Sequence, residues 1–176
     1  MASSLTIRAG TREDWPALRT LYAEAFPEEV LLPLVEALMA DPAFGVCSLV
    51  ALLDDRVVGH IVMTPCSVGG TADPIALLGP LGVRPDAQGK GVGSALVRAG
   101  CDAMQQRGCG QVLVLGDPAY YGRFGFRQSC TVTPPHPIPA AWKHAWQALD
   151  FDAAGPPASG RLQVPPPWRD PALWTS

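Results

Sequence analysis

The stretch richest in chemistry runs Leu81-Gly82-Val83-Arg84-Pro85-Asp86-Ala87-Gln88-Gly89-Lys90-Gly91-Val92-Gly93-Ser94. An apolar run ends at Val83, Arg84-Pro85 breaks it, and three alternate glycines lead into a segment of helical periodicity. Such a turn presents backbone N–H groups at a helix N-terminus, where the helix dipole adds positive potential. Glycine lets the main chain approach a ligand closely and take positive φ, and Lys90 adds a movable positive charge. The chemistry on offer from Gln88, Gly89, Lys90, Gly91, Val92, Gly93 and Ser94 is an anion cradle suited to a pyrophosphate. Two other phosphate signatures fail. A nucleotide P-loop needs Gly-Lys followed by Ser or Thr, and Gly91 follows here. A dinucleotide fingerprint needs Gly or Ala where Ser94 stands, directly after its strand in the first βαβ unit. Taken alone, the glycine spacing also fits an ordinary turn with no ligand. A second cluster, Gly116-Asp117-Pro118-Ala119-Tyr120-Tyr121-Gly122-Arg123-Phe124-Gly125-Phe126, carries two adjacent phenols, which keep their protons at neutral pH. His60 is a lone imidazole in an apolar segment, more often a satisfied core residue than a reactive one.

The elements that must position these groups follow from the hydrophobic pattern. Leu5–Arg8 reads as a first strand. Thr11 with Asp14 three places on is a variant of the capping box, and Trp15, Leu18, Leu21, Tyr22 and Ala25 then recur at helical spacing to about Phe26–Pro27. A second helix is expected from Glu28 to about Met39. Val46–Leu53 and Arg56–Thr64 flank Asp54-Asp55 and predict a β-hairpin. Gly69-Gly70 and Asp73-Pro74 punctuate a loop, and Ile75–Val83, apolar on both faces, reads as a central strand. Gly91–Gln106 is the long helix, with Leu96, Val97, Cys101 and Met104 inward and Gly108 as its stop. Gln111–Leu115 is a buried strand, Asp117-Pro118 opens a short helix that Gly125 ends, and Phe126 to about Val132 is another strand. After Thr133 the chain becomes rich in Pro and Trp, as in an extended tail wrapping the body. Within it Trp142–Leu149 is a candidate helix and Arg161–Val164 a candidate strand. Hairpins first and βαβ later give an α/β fold, a mixed central sheet flanked by helices, with residues 1–133 as the domain and 134–176 as an extension packed on it.

Composition narrows the class. The apolar share of 48% against 16% charged is that of a globular chain. Thirteen Lys and Arg against 16 Asp and Glu give a net charge of −3, which offers no global basic face for nucleic acid. Cys47, Cys66, Cys101, Cys109 and Cys130 show neither CxxC nor His spacing, so they read as small buried residues plus one or two free thiols, with no metal and a reducing compartment. Met1–Ile7 lacks the charge-then-apolar pattern of a signal peptide, and no apolar run approaches the ~20 residues of a membrane span. A cytoplasmic protein without membrane contact is the expectation.

Gln88-Gly89-Lys90-Gly91-Val92-Gly93 resembles the Q/R-x-x-G-x-G/A motif of the GNAT superfamily of N-acetyltransferases. Leu81-Gly82-Val83-Arg84-Pro85 is similar to that family's L-x-V-x-P strand end, and Tyr120 to Phe126 to its Y-x-x-x-G-F segment. The likeness covers about Leu5 to Val132. Val57-Val58-Gly59-His60 and the Gly116 to Tyr121 block are most similar to its bacterial YhbS-like group. The resemblance implies a three-layer GNAT fold, acetyl-CoA as co-substrate and an amine acceptor on a small molecule or peptide. It implies pyrophosphate held by Gln88 to Ser94, a pantetheine arm along the edge of Leu81, Gly82 and Val83 where that strand splays from the next, and further cofactor contacts from Asp117, Tyr121 and Phe124. It also implies that Tyr121, four residues before Gly125, is the general acid for the leaving thiolate, with Tyr120 as the neighbouring substitute. Many relatives carry an Asn where Val114 stands. No acid lies in Ile75–Val83, where this fold often places one, so His60 and Asp117 are base candidates, and Glu24, Glu28 or Glu29 candidates for the substrate side. Asp117 also fits a helix cap, and both tyrosines also fit a packed core. Folds of this kind often dimerise, so a homodimer is allowed.

Two further functions fit the same residues. One is a non-catalytic acyl-CoA-binding or sensing module of GNAT fold, since a cradle without an obvious base is what it predicts. The other is an interaction domain that uses the Pro/Trp tail.

Overall fold

The computed structural model describes residues 3–69, 74–151 and 157–175. By its internal packing the chain falls into two units, one of residues up to Met63 with Gly79–Ala103, the other of Thr64–Leu78 with Met104 onward.

In the first unit, β1 (Leu5–Ala9) and β2 (Cys47–Leu53) pair antiparallel, and β2 pairs antiparallel with β3 (Arg56–Val68). The β2–β3 hairpin turns on Asp54 and Asp55, both left-handed at φ 49° and 65°, as a two-residue turn matching strand twist requires. Helix α1 (Trp15–Ala25) buries Leu18, Leu21 and Tyr22. Its entry is fixed by the Asp14 carboxylate, which accepts from the Thr11 N–H at 2.7 Å and from the two terminal guanidinium nitrogens of Arg8 at 2.8 Å. Helix α2 spans Leu32–Ala40, four residues later than Glu28. Pro33 gives the reason, because proline is tolerated in the first turn of a helix and not in its interior. Strand β4 (Ile75–Val83) follows β3 in the sheet, and the Arg84 N–H donates to the Val58 carbonyl at 2.8 Å. Helix α3 (Val92–Gln106) rests on β3 at Gly59, where a Cβ would stand 2.8 Å from both Leu96 and Val92 side-chain carbons.

In the second unit, the start of β4 pairs parallel with β5 (Gln111–Leu115), and β5 pairs antiparallel with β8 (Trp146–Asp150). Between them in sequence come α4 (Pro118–Tyr121), β6 (Arg127–Gln128) and β7 (Val132–Thr133). β6 pairs with β8, and β9 (Gly160–Gln163) pairs with β7 and with the end of β3. The described residues thus form a mixed sheet of nine strands flanked by helices, as expected, with the order β1-β2-β3-β4-β5-β8-β6.

Two expectations are corrected here. Trp142–Leu149 is not a helix: Ala140–Ala145 forms a 3-10 turn and Trp146 begins β8. β5 is buried, so its second edge needs a partner for its backbone groups, and that demand overrides the helix propensity of Ala, Gln and Leu. The strand expected over Phe126–Val132 is two short ones, because the Ser129 hydroxyl bonds the Val132 carbonyl (3.2 Å) and N–H (3.4 Å) and turns the chain between them. Of the tail tryptophans, Trp146, Trp168 and Trp174 are buried, and their indole N–H groups donate to Val132 O, Thr64 Oγ1 and Trp168 O. The loop expected around Gly70 and Asp73 lies outside the described residues. No helix among the described residues is long and apolar enough to cross a membrane.

Candidate active site

β4 passes into α3 through a short braced loop. Pro85–Ala87 makes a 3-10 turn, the Gln88 amide side chain donates to the Val83 carbonyl at 3.1 Å, and Lys90 Nζ donates to the Asp86 carbonyl at 2.9 Å. Asp86 takes Arg56 at 3.0 Å, and Arg84 takes Glu24 at 3.0 Å. Gly89 and Gly91 then adopt φ of +72° and +80°, with no atom within 4 Å of where a Cβ would point. Glycine is needed there for the backbone and not for lack of room. The helical ladder opens with the Ala95 N–H donating to Gly91 O at 3.0 Å. The amides of Val92, Gly93 and Ser94 precede that ladder, at the positive end of the 15-residue α3. Gln88 to Lys90 are exposed, and Gly93 and Ser94 half-buried.

Upstream, Gly82 is buried under α1: a Cβ on it would stand 2.9 Å from Leu21 Cδ2 and 3.2 Å from Phe26 Cε2. Leu81 and Val83 on either side are half-buried. The β4–β5 ladder is three pairs long, Ile75–Gln111 to Leu77–Leu113, in a strand of nine residues.

The phenols sit in the second unit. Asp117 caps α4, its carboxylate accepting from the Ala119 N–H at 2.9 Å, while its carbonyl accepts from Tyr120 and Tyr121 N–H at 3.1 and 3.0 Å. That geometry turns Tyr121 inward, 8% exposed, and leaves Tyr120 half-buried beneath the Arg123 guanidinium at 4.7 Å. The Tyr121 ring meets Tyr120 edge-on at 5.0 Å and Phe126 at 5.6 Å, with Phe124 at 6.5 Å. It also lies directly against Gly116, where a Cβ would overlap the ring edge.

His60 has no exposed surface. Its Nδ1 lies 2.8 Å from the Tyr22 hydroxyl and its Nε2 2.8 Å from the Ser48 hydroxyl. Burial pushes its pKa down to about 4, against a smaller opposing pull from Asp14. Burial likewise raises the Tyr22 phenol, and the Arg8 hydrogen bonds hold Asp14 down at about 2. Neither Tyr22 nor Ser48 stands out in the sequence as a partner of His60; the inward position of Tyr22 on α1 was the only available signal. Glu24 is engaged by Arg84, and Glu28 and Glu29 are exposed in the turn before α2. Four cysteines are buried and Cys130 is exposed, with the Cys66 and Cys101 thiols pushed by burial up to about 12. No group of three metal-ligating side chains is found among the described residues.

The model of the acetyltransferase (GNAT) family matches residues 15–126, and the chain belongs to that family. It is 32% identical over 175 residues to an uncharacterised N-acetyltransferase, YjhQ, of Escherichia coli K12, covering 96% of each chain. Among solved structures it resembles the GNAT N-acetyltransferase YhbS of Escherichia coli in complex with CoA, at a TM-score of 0.85 and 27% identity, over 97% of this chain and 94% of that one. It also resembles a GNAT acetyltransferase of Brucella melitensis in complex with acetyl-CoA, at a TM-score of 0.73 and 30% identity, over 93% and 97%.

Proposed function

We propose that this GNAT acetyltransferase passes an acetyl group from acetyl-CoA directly to a primary amine, on a small molecule or a peptide, within a ternary complex. The observation that carries the reading is the pair of left-handed glycines, Gly89 and Gly91, delivering the chain to the head of α3. Complexes of two similar proteins with CoA and acetyl-CoA support it.

Acetyl-CoA supplies the activated acetyl thioester. Gln88 to Ser94 grip the pyrophosphate with main-chain N–H groups, aided by the dipole of α3. Leu81 to Val83 offer main-chain groups to the pantetheine arm as an added strand would. An N–H of Leu81 or Val83 stabilises the charge that builds on the thioester oxygen as the amine attacks. Tyr121 donates its phenolic proton to the departing thiolate, with Tyr120 as its neighbouring substitute, and Asp117 and Phe124 shape the turn that presents them. His60 is a poor base for the incoming ammonium, since both ring nitrogens are already hydrogen-bonded and no surface of the ring is exposed.

Titration calorimetry with CoA tests the cradle, and heat with a rise in melting temperature is expected. Thiol release from acetyl-CoA across a panel of amines tests turnover. Binding without release would make the chain an acyl-CoA-binding module instead. Tyr121→Phe should lower kcat more than tenfold with little change in the KM for acetyl-CoA, and an unaltered kcat would remove Tyr121 from the mechanism.

A further inference from the structure

We propose that His60 is a positioning residue for acetyl transfer, acting through Tyr22 to seat the end of α1 on β4 at Gly82; this rests on the acetyl-transfer reading above. The imidazole joins three elements. Tyr22 comes from α1, His60 from β3 and Ser48 from β2, with both hydrogen bonds at 2.8 Å. A neutral imidazole offers one donor and one acceptor, and each hydroxyl can play either part, so the chain is satisfied in both directions. A charged imidazole would demand an acceptor on both sides. Asp14 pulls the ring towards its charged form, and burial outweighs it.

What this chain holds in place is the last turn of α1. The Tyr22 ring stacks on Phe26 at 5.8 Å and 22°, and the Phe26 N–H closes the helix on the Tyr22 carbonyl at 3.0 Å. Phe26 and Leu21 in turn cover Gly82 so closely that a Cβ there would force one of them to shift. On the flank of the same turn, Glu24 pairs with Arg84 at the end of β4. The position of Phe26 over β4 is therefore set by a hydroxyl–imidazole bond one turn earlier in the helix. The hydrogen bonds made by Gln88, Lys90 and Gly91 themselves run to Val83, Pro85, Asp86 and Ala95 and do not involve His60. Loosening the His60 chain should disturb the strand that carries the thioester while leaving the pyrophosphate grip alone.

Tyr22→Phe deletes one hydroxyl at constant ring packing, and Ser48→Ala deletes the other; His60→Gln replaces the ring. Three readouts apply to each: CoA affinity by calorimetry, kcat and KM for acetyl-CoA by thiol release with an amine that the wild type accepts, and the pH profile of kcat/KM. The expected result for Tyr22→Phe is a kcat lowered fivefold or more, with CoA affinity within twofold of wild type and the same pH profile. Wild-type kcat in Tyr22→Phe overturns the proposal. So does a parallel loss of CoA affinity and kcat, which indicates general disruption, and so does an acid limb that vanishes in His60→Gln, which makes the ring a proton carrier. If His60→Gln does not fold, Tyr22→Phe decides alone. A wild type that binds CoA but turns over nothing sinks the acetyl-transfer reading itself, and this proposal with it.

Discussion

When the pH falls from 7 towards 4, the buried imidazole of His60 puts a definite load on the fold. In the unfolded chain it titrates near 6.5, while in the fold burial holds it at about 4. Between those values the unfolded state binds a proton that the folded state does not. Stability therefore rises with pH across the window, is fully present above 6.5, and is lost progressively as the pH falls towards 4. A difference of this size is worth about 3 kcal/mol in the limit, of which about 2 kcal/mol is gone by pH 5 and nearly all by pH 4. Asp14 does not confuse the window. Its carboxylate is held at about 2 chiefly by the Arg8 hydrogen bond, so its contribution is present above 3.8 and lost only between 3.8 and 2. Urea unfolding of wild type and His60→Leu at pH 7.5, 6 and 5 provides the assay. The variant starts less stable, because Tyr22 and Ser48 lose their partner, but the wild type should lose about 2 kcal/mol more than the variant on going to pH 5. Parallel pH dependences in the two proteins, or a His60 ring resonance titrating near 6.5 in the native state, would refute the reasoning.

Two glycine substitutions probe the proposed function, one in each unit. Gly91→Ala forces a Cβ into a backbone at φ +80°, at a cost of about 1–2 kcal/mol, and points the methyl into open space at the cradle. The protein should fold with a slightly lower melting temperature and bind CoA at least tenfold more weakly by calorimetry; full affinity would show that the turn grips nothing. Gly116→Ala sets a methyl against the Tyr121 ring, 2.8 Å from Cδ2. Overpacking of about 1–3 kcal/mol and a displaced phenol should lower both melting temperature and kcat while CoA binding persists; an unchanged kcat would count against Tyr121 as the proton donor.

Elements governed by local rules were readable in the sequence. The hairpin turn at Asp54-Asp55, the long α3, and the Asp117-Pro118 cap each depend on residues a few positions apart, and each is found where the pattern put it. α2 begins four residues past its expected start because apolar spacing continues upstream of the proline that sets its start. β8 was not readable at all. Nothing within Trp146–Asp150 announces a strand; what makes it one is the unfilled edge of β5, which lies far back in the chain.

The same division runs through the site, and the glycines make it plain. Gly89 and Gly91 are glycines because of their own torsion angles, and the angles follow from the turn they make, so a short motif reveals them. Gly82 and Gly116 are glycines because of what lies against them, Phe26 and Leu21 in one case and the Tyr121 ring in the other. A contact with a distant element leaves no local trace, which is why Gly82 was legible only as part of a strand end and not as the seat of α1. His60 belongs to this second kind. Its segment of sequence says only that an imidazole sits in an apolar strand, while its chemistry is decided by hydroxyls on two other elements, one of them 38 residues away. In the proposed function, the grip on the co-substrate can thus be inferred from a dozen consecutive residues, whereas the alignment of its reacting end rests on contacts that exist only once α1 has folded onto the sheet.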